Sequence, residues 1–262
     1  MSPHDAYARR TPFELLLPDA EGAAGLVSAI GDEARARGLD PSHRGAFASL
    51  TAVGEHVARA RAPEAPPEAL PDFAALLFHA YHFVRAGCPL YLASVRASRR
   101  LAMGAGSLGP IQAPADAGYL QLPRHLFWLE SVAGGAAESV DGAFWTTARG
   151  GLLHVLLAAG MRPDRPGLAV VEVAEAPLEH APRWLDAQVR TAGGDFTTAL
   201  PGADLGELYA FRVAGEVLKL IARFFALLGD ERARVTRHGP VVTPDADPIP
   251  SGLPYQRVEV DA

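Results

Sequence analysis

Cysteine and lysine are nearly absent from this 262-residue chain: Cys88 is the only cysteine, and Lys219 is the only lysine among 24 basic residues. One cysteine excludes an intramolecular disulfide and a zinc site built from several thiolates of one chain. One lysine excludes a phosphate-cradling Gly-Lys-Ser/Thr loop, because Lys219 stands in VLKLIA. A Schiff-base amine would also have to be Lys219, on what reads as the polar stripe of a helix. Apolar runs end well short of the ~20 residues that a membrane helix needs. The segment MSPHDAYARR lacks the apolar core of a secretion signal. A soluble, cytoplasmic protein without a membrane partner is the expectation.

Hydrophobic residues make up 49% and charged residues 21% of the chain, a globular balance that argues against wholesale disorder. The formal charge of −6 disfavours a nonspecific partnership with nucleic acid, whose backbone rewards basic surfaces. Arginine, alanine, glycine and proline are abundant as a general bias, so single arginines carry little weight.

The spacing predicts helices first. Phe13–Leu17 reads as a short strand, and Asp19 as the cap of a helix that stops at Gly38. A second helix is expected over 42–61, with Phe47, Leu50, Val53 and Val57 on one face. Prolines 63, 66, 67 and 71 make 63–71 a stiff connector after a helical subdomain over 19–62. Asp72 caps a helix running FAALLFHAYHFVRA to Gly87; residues 90–103 fit a helix or, over LYLASV, a strand. From Tyr119 the period shortens. HLFWLESV, ESVDGAFWTT, LLHVLLAAG and LAVVEV predict an antiparallel meander of about four strands, with Asp141-Gly142 as a bulge or tight turn. A long helix over 205–228 is expected from the box Asp204…Glu207, with a polar stripe of Arg212, Glu216, Lys219 and Arg223. The fold class is therefore α+β: N-terminal helices, a central antiparallel meander and a buried C-terminal helix packed on it. It forms one domain over 1–237, followed by a Pro-rich extended tail over 238–262 that YQRVEV could rejoin as an edge strand.

Several constellations could carry chemistry. Gly104-Ala-Gly106-Ser-Leu-Gly109 has the letters of a dinucleotide loop, but Pro110 and Pro114 forbid the helix that must follow, so a plain loop is expected, with no cofactor. Ser107 lacks the strand–turn–helix setting of a hydrolase nucleophile for the same reason. His79 and His82 lie three apart on one helix and are the candidate metal ligands, yet no third ligand adjoins them, so no metal is expected. Glu130, Glu138, Asp141 and His154 in the meander could converge as an acid/base group. The plainer reading of His154, on the face of Leu152 and Leu156, is a half-buried histidine with a backbone partner. Phe127, Trp128, Phe144 and Trp145 read as cross-strand packing, or as an aromatic platform for a flat ligand. Arg232 and His238, with five residues between them, resemble the Arg-x(4–6)-His signature of helical HEPN ribonucleases over those two residues alone. The polar residue that usually follows the arginine is Ala233 here. Cations are expected after a helix from its dipole in any case.

Phe78, Tyr81, His82 and Arg85 form a second, aromatic face on the helix of 72–86, on the far side from Leu76, Leu77, Ala80, Phe83 and Val84. Something must cover such a face: the meander, a protein partner, or a second copy in a two-fold dimer. The leading expectation is therefore a noncatalytic interaction or regulatory module. Its alternatives are a hydrolase or nuclease using His79/His82 or the meander acids, and a small-ligand binder with an aromatic sheet pocket.

Overall fold

The computed structural model describes residues 11–16, 20–60, 70–103, 112–124, 126–129, 138–148, 152–159, 169–177, 209–211, 214–240 and 253–261. Helices and a mixed sheet build an α+β fold. The helices are α1 (Pro12–Leu16), α2 (Ala20–Ala36), α3 (Arg44–Ala48), α4 (Thr51–Ala60), α5 (Leu70–Arg85), α6 (Val95–Met103) and α7 (Ala214–Leu228). The strands are β1 (Leu90–Ala93), β2 (Ala117–Gln121), β3 (Phe127–Leu129), β4 (Glu138–Ala148), β5 (Leu152–Ala159), β6 (Ala169–Pro177), β7 (Tyr209–Phe211), β8 (Ala233–His238) and β9 (Tyr255–Val260).

The sheet runs β6-β5-β4-β2-β1-β9-β8, with β3 paired to the start of β4 and β7 paired to β3. The four expected strands exist, but they are not a four-strand antiparallel meander. The body of β4 pairs with β2, and β1 lies parallel to both β2 and β9. Residues 255–260, expected in an extended tail or at an edge, form an inner strand between β1 and β8. Asp141-Gly142 is a bulge: the β4–β5 register shifts between Val140 and Gly142. A Cβ on Gly142 would overlap the Leu120 carbonyl oxygen and the Tyr119 hydroxyl, so glycine permits this close approach of β2.

Helices cover both faces. Helices α1–α5 lie on the face of Leu90, Leu92, Tyr119, Phe144, Leu156 and Tyr255. Helices α6 and α7 lie on the face of Tyr91, Leu120, Trp145, Val155 and Val258. This double cover explains why LYLA is buried at every position and does not alternate. Residues 90–103 are strand and helix in succession: Ser94 stands between β1 and α6, and its hydroxyl accepts the Ala97 amide at 3.1 Å as the cap of α6.

Local chemistry sets the other joints. Thr11 and Glu14 exchange backbone-to-side-chain bonds of 2.8 and 3.1 Å around Pro12, which starts α1 where a strand was expected. The expected helix over 42–61 is two, α3 and α4, with Ser49 and Leu50 between them. At the end of α5 the Gly87 and Cys88 amides return to Val84 and Phe83, with Gly87 at φ 81°, and the chain turns into β1. From α7, Arg223 donates to the Leu101 and Ala102 carbonyls at 3.0 Å and so closes the C-terminal end of α6. Helix α7 starts at Ala214, not at 205, because Tyr209–Phe211 pair with β3 as a strand. The box Asp204…Glu207, Arg212, the Glu216 side chain and the connector at 63–69 lie outside the described residues.

Glu33 of α2 joins α2 to α4. Its carboxylate accepts the amides of Thr51 and Ala52 at 2.8 and 2.9 Å and the Arg37 guanidinium at 3.0 Å. The amides of Ala52 and Thr51 hold its pKa down to about 2. A carboxyl depressed in the native state contributes stability above its unfolded value, which is lost as pH falls through the native one. Glu33→Ala is therefore expected to lower the Tm at neutral pH and to leave it nearly unchanged in strong acid, as read by circular dichroism melts.

Candidate functional site

The densest group of titratable side chains lies between α5 and the sheet. Helix α5 is apolar almost all round because it is buried between β2, β4 and β5 on one side and α2–α4 on the other. His79 is fully buried and its Nδ1 lies 3.1 Å from the Thr146 hydroxyl. Thr146 on β4 is the cross-strand partner of His154 on β5. Phe78 is the hub of the group: its ring makes edge contacts with His82, His79 and His154 at 4.8, 5.4 and 5.7 Å. The Arg44 guanidinium sits 5.2 Å from the Phe78 centroid.

This setting disfavours a proton on His79 and His82. Burial lowers the His79 pKa well below its ordinary value, and Arg44, His154 and His82 add to the effect. Burial also lowers His82, to about 4, against the opposing pull of the Pro41 carbonyl at 3.4 Å from its Nε2. The Nε2 of His79 is buried with no hydrogen-bond partner among the described residues. A hydroxyl touching a neutral imidazole is the geometry of a nucleophile and its base. Here both groups are sealed in packing, with Thr146 only 1% exposed.

The expected metal pair is divided between two environments. His79 meets Thr146 of the sheet, and His82 meets Pro41 between α2 and α3. No group of three His, Cys, Asp or Glu side chains suited to a metal occurs among the described residues. The meander acids do not join His154 either. Asp141 is buried in the bulge, with Arg124 at 3.9 Å. It lies five positions along β4 from the partner of His154, roughly 17 Å at strand rise. Glu138 is half-buried at the first position of β4, opposite Leu129, and Glu130 lies outside the described residues.

The aromatics form no common platform. Phe144 and Trp145 are fully buried on opposite faces, Phe144 against Tyr119 and Phe83, Trp145 against Tyr91 and Phe225. Phe127 is buried and Trp128 half-buried on β3. The helix face of Phe78, Tyr81, His82 and Arg85 is covered from within the chain: Phe47 of α3 packs on Phe78 and Tyr81 at 5.3 and 5.5 Å. Phe78 and Tyr81 are 0% and 2% exposed, and Arg85 reaches back to the Tyr81 hydroxyl at 3.3 Å. Lys219, expected on a polar stripe, is 5% exposed. Arg232 precedes β8 and His238 ends it, stacked on Tyr255 at 4.7 Å, so these two residues do not share a helical setting. The glycine-rich segment with Ser107 lies outside the described residues. Thr146 and Arg44 went unnoticed in the sequence; period-2 alternation from Phe144 is the one signal that puts Thr146 on the face of α5.

No protein-family model matches the chain, and a search of curated proteins gives no match. No helix among the described residues is long and apolar enough to cross a membrane.

Proposed function

We propose that the chain is a noncatalytic protein-interaction or regulatory module that works in the cytoplasm. The observation that carries this reading is the burial of four candidate catalytic groups: His79, Thr146, Asp141 and His154 are each 3% exposed or less. An acid, base or nucleophile must reach its substrate, and these side chains are occupied by packing. The cytoplasmic part of the reading rests on the lone Cys88, whose thiol burial pushes up to about 11, away from thiolate chemistry.

The His79–Thr146 contact is the one observation favouring a hydrolase, and it sets the test. Purified protein is incubated with p-nitrophenyl esters, bis-p-nitrophenyl phosphate and single-stranded RNA, beside Thr146→Val and His154→Gln. Equal background rates for all three proteins are expected. Turnover that vanishes in either variant while its fold persists would overturn the noncatalytic reading.

A further inference from the structure

Large hydrophobic side chains left in water are scarce among the described residues: Val95 and Val235, each 40% exposed. The register sets Val235 beside a buried residue. Val235 is the cross-strand partner of Val258, which is fully buried. Val258 is also the partner of Ala93, and its carbonyl accepts the amide of Ser94, the residue before Val95. An apolar cross-strand row thus runs from Ala93 of β1 through Val258 of β9 to Val235, buried until it reaches β8. Beyond it, β8 is the last strand of the sheet path, so its outer backbone edge has no strand partner among the described residues. Such an edge is a template for another strand.

The charge around this row has a sign. Arg96 and Arg99 on α6 and Arg234 and Arg237 on β8 are all exposed. Arg100 is tied to Asp230 at 2.8 Å, and Arg234 is loosely paired with Asp261, at 3.9 Å with both side chains 66% exposed, while its cross-strand partner Glu259 is held by Arg257 at 2.9 Å. Arg96 and Arg237 have no ion pair among the described residues. Val235 and Arg237 share one face of β8, and Arg234, Thr236 and His238 share the other.

We propose that the open edge of β8 takes up an extended acidic segment of a partner protein as an added strand. Main-chain bonds to β8 would hold it, with an apolar side chain on Val235 and carboxylates against Arg234 and Arg237. A second copy of this chain is the poorer occupant. Two-fold antiparallel β8–β8 registers centred on Arg234 or on Arg237 set each guanidinium against its own copy. The proposal rests on the interaction-module reading and gives that reading a surface, in place of the covered face of Phe78 and Tyr81.

The test uses the full chain with short synthetic peptides built on Glu-Thr-Val-Glu (the Val-Glu peptide), which in antiparallel register sets valine opposite Val235 and a glutamate opposite each of Arg234 and Arg237, and on Lys-Thr-Val-Lys (the Val-Lys peptide). Amide chemical shifts and fluorescence anisotropy follow the binding. The Val-Glu peptide is expected to shift the amides of 233–238 and to lose about tenfold or more in affinity against Arg234→Glu/Arg237→Glu, while the Val-Lys peptide gains. Val95→Ser, two strands in from the open edge, should leave the same binding unchanged. The near-ultraviolet signal of the buried Trp145 reports that each variant is folded. Shifts elsewhere, equal affinities for both peptides, or indifference to the charge reversal would overturn the proposal. So would phosphatidylserine vesicles that bind the protein where the Val-Glu peptide does not, or a dimer dissolved by the double variant. Failure here would return the partner surface to another part of the module; hydrolytic turnover would remove the module reading whatever β8 binds.

Discussion

Trp145→Ala is expected to cost about 3–5 kcal/mol in urea unfolding, the range for truncating a large buried aromatic. Trp145 is fully buried in the core beneath α7, against Tyr91, Phe224 and Phe225 at 5.4–5.8 Å. Its indole N–H also donates to the Ala115 carbonyl at 3.1 Å, so the variant leaves a cavity and a carbonyl without its donor. The ring lies over Gly118 of β2, where a Cβ would overlap it. This contact gives a sharper form of the prediction. Gly118→Ala alone should destabilise by about 1–3 kcal/mol through overpacking. In the Trp145→Ala background the clash is gone and the new methyl fills part of the void. The double variant should then be more stable than the sum of the single costs allows, and strict additivity would show that the ring and Gly118 do not share one packed site.

The parts of the fold that could be read locally are those in which one segment contains its own signal. The helix of FAALLFHAYHFVR ends at Gly87, where αL geometry favours glycine. The Asp141-Gly142 irregularity was visible as glycine inside an apolar run. The Thr11-Pro12-Phe13-Glu14 box is equally local, but the apolar run Phe13–Leu17 that overlaps it has the letters of a strand. What escaped depends on distant segments. The pairing of Tyr91 with both Leu120 and Gln256 brings together residues far apart in the chain, and local periodicity carries no trace of it. Parallel neighbours and helices on both faces also erased the alternation that would have marked β1. Tyr209–Phe211 sit inside a good helical pattern and became β7 because β3 offered a ladder, a tertiary demand that overrides propensity.

The candidate site was legible as composition and illegible as geometry. The i, i+3 spacing of His79 and His82 correctly makes them neighbours on α5. It cannot say that α5 is buried on opposite sides, which sends one ring to Thr146 and the other to Pro41. The same burial converts the aromatic surplus of Phe78 and Tyr81 from an apparent docking face into the seat of α3. A wide apolar helix surface is ambiguous between these outcomes until the facing residue, here Phe47, is known. The β8 edge went unread for the converse reason: ARVTRH is ordinary as a sequence, and its interest lies in being last in the strand order.

Buried neutral histidines make this fold acid-sensitive in a defined window. His79 and His82 are both lowered, chiefly by burial, from 6.5, His82 to about 4. In the unfolded chain both rings take a proton as pH falls below 6.5, while the native protein resists protonation. The unfolded state then binds more protons, and stability falls with acid. Each ring that stays neutral in the native state contributes a loss of about 1.4 kcal/mol per pH unit below 6.5, and the His82 contribution levels off near 4. Urea midpoints measured from pH 7 to pH 4.5 should therefore fall steeply. His79→Leu/Thr146→Val removes the buried pair as a unit and should flatten the slope by about the share of one histidine, with His82→Gln removing a second share. A wild-type midpoint that is level between pH 6.5 and 4.5 would mean that His79 and His82 reach water in the native protein, contradicting the sealed layer between α5 and the sheet.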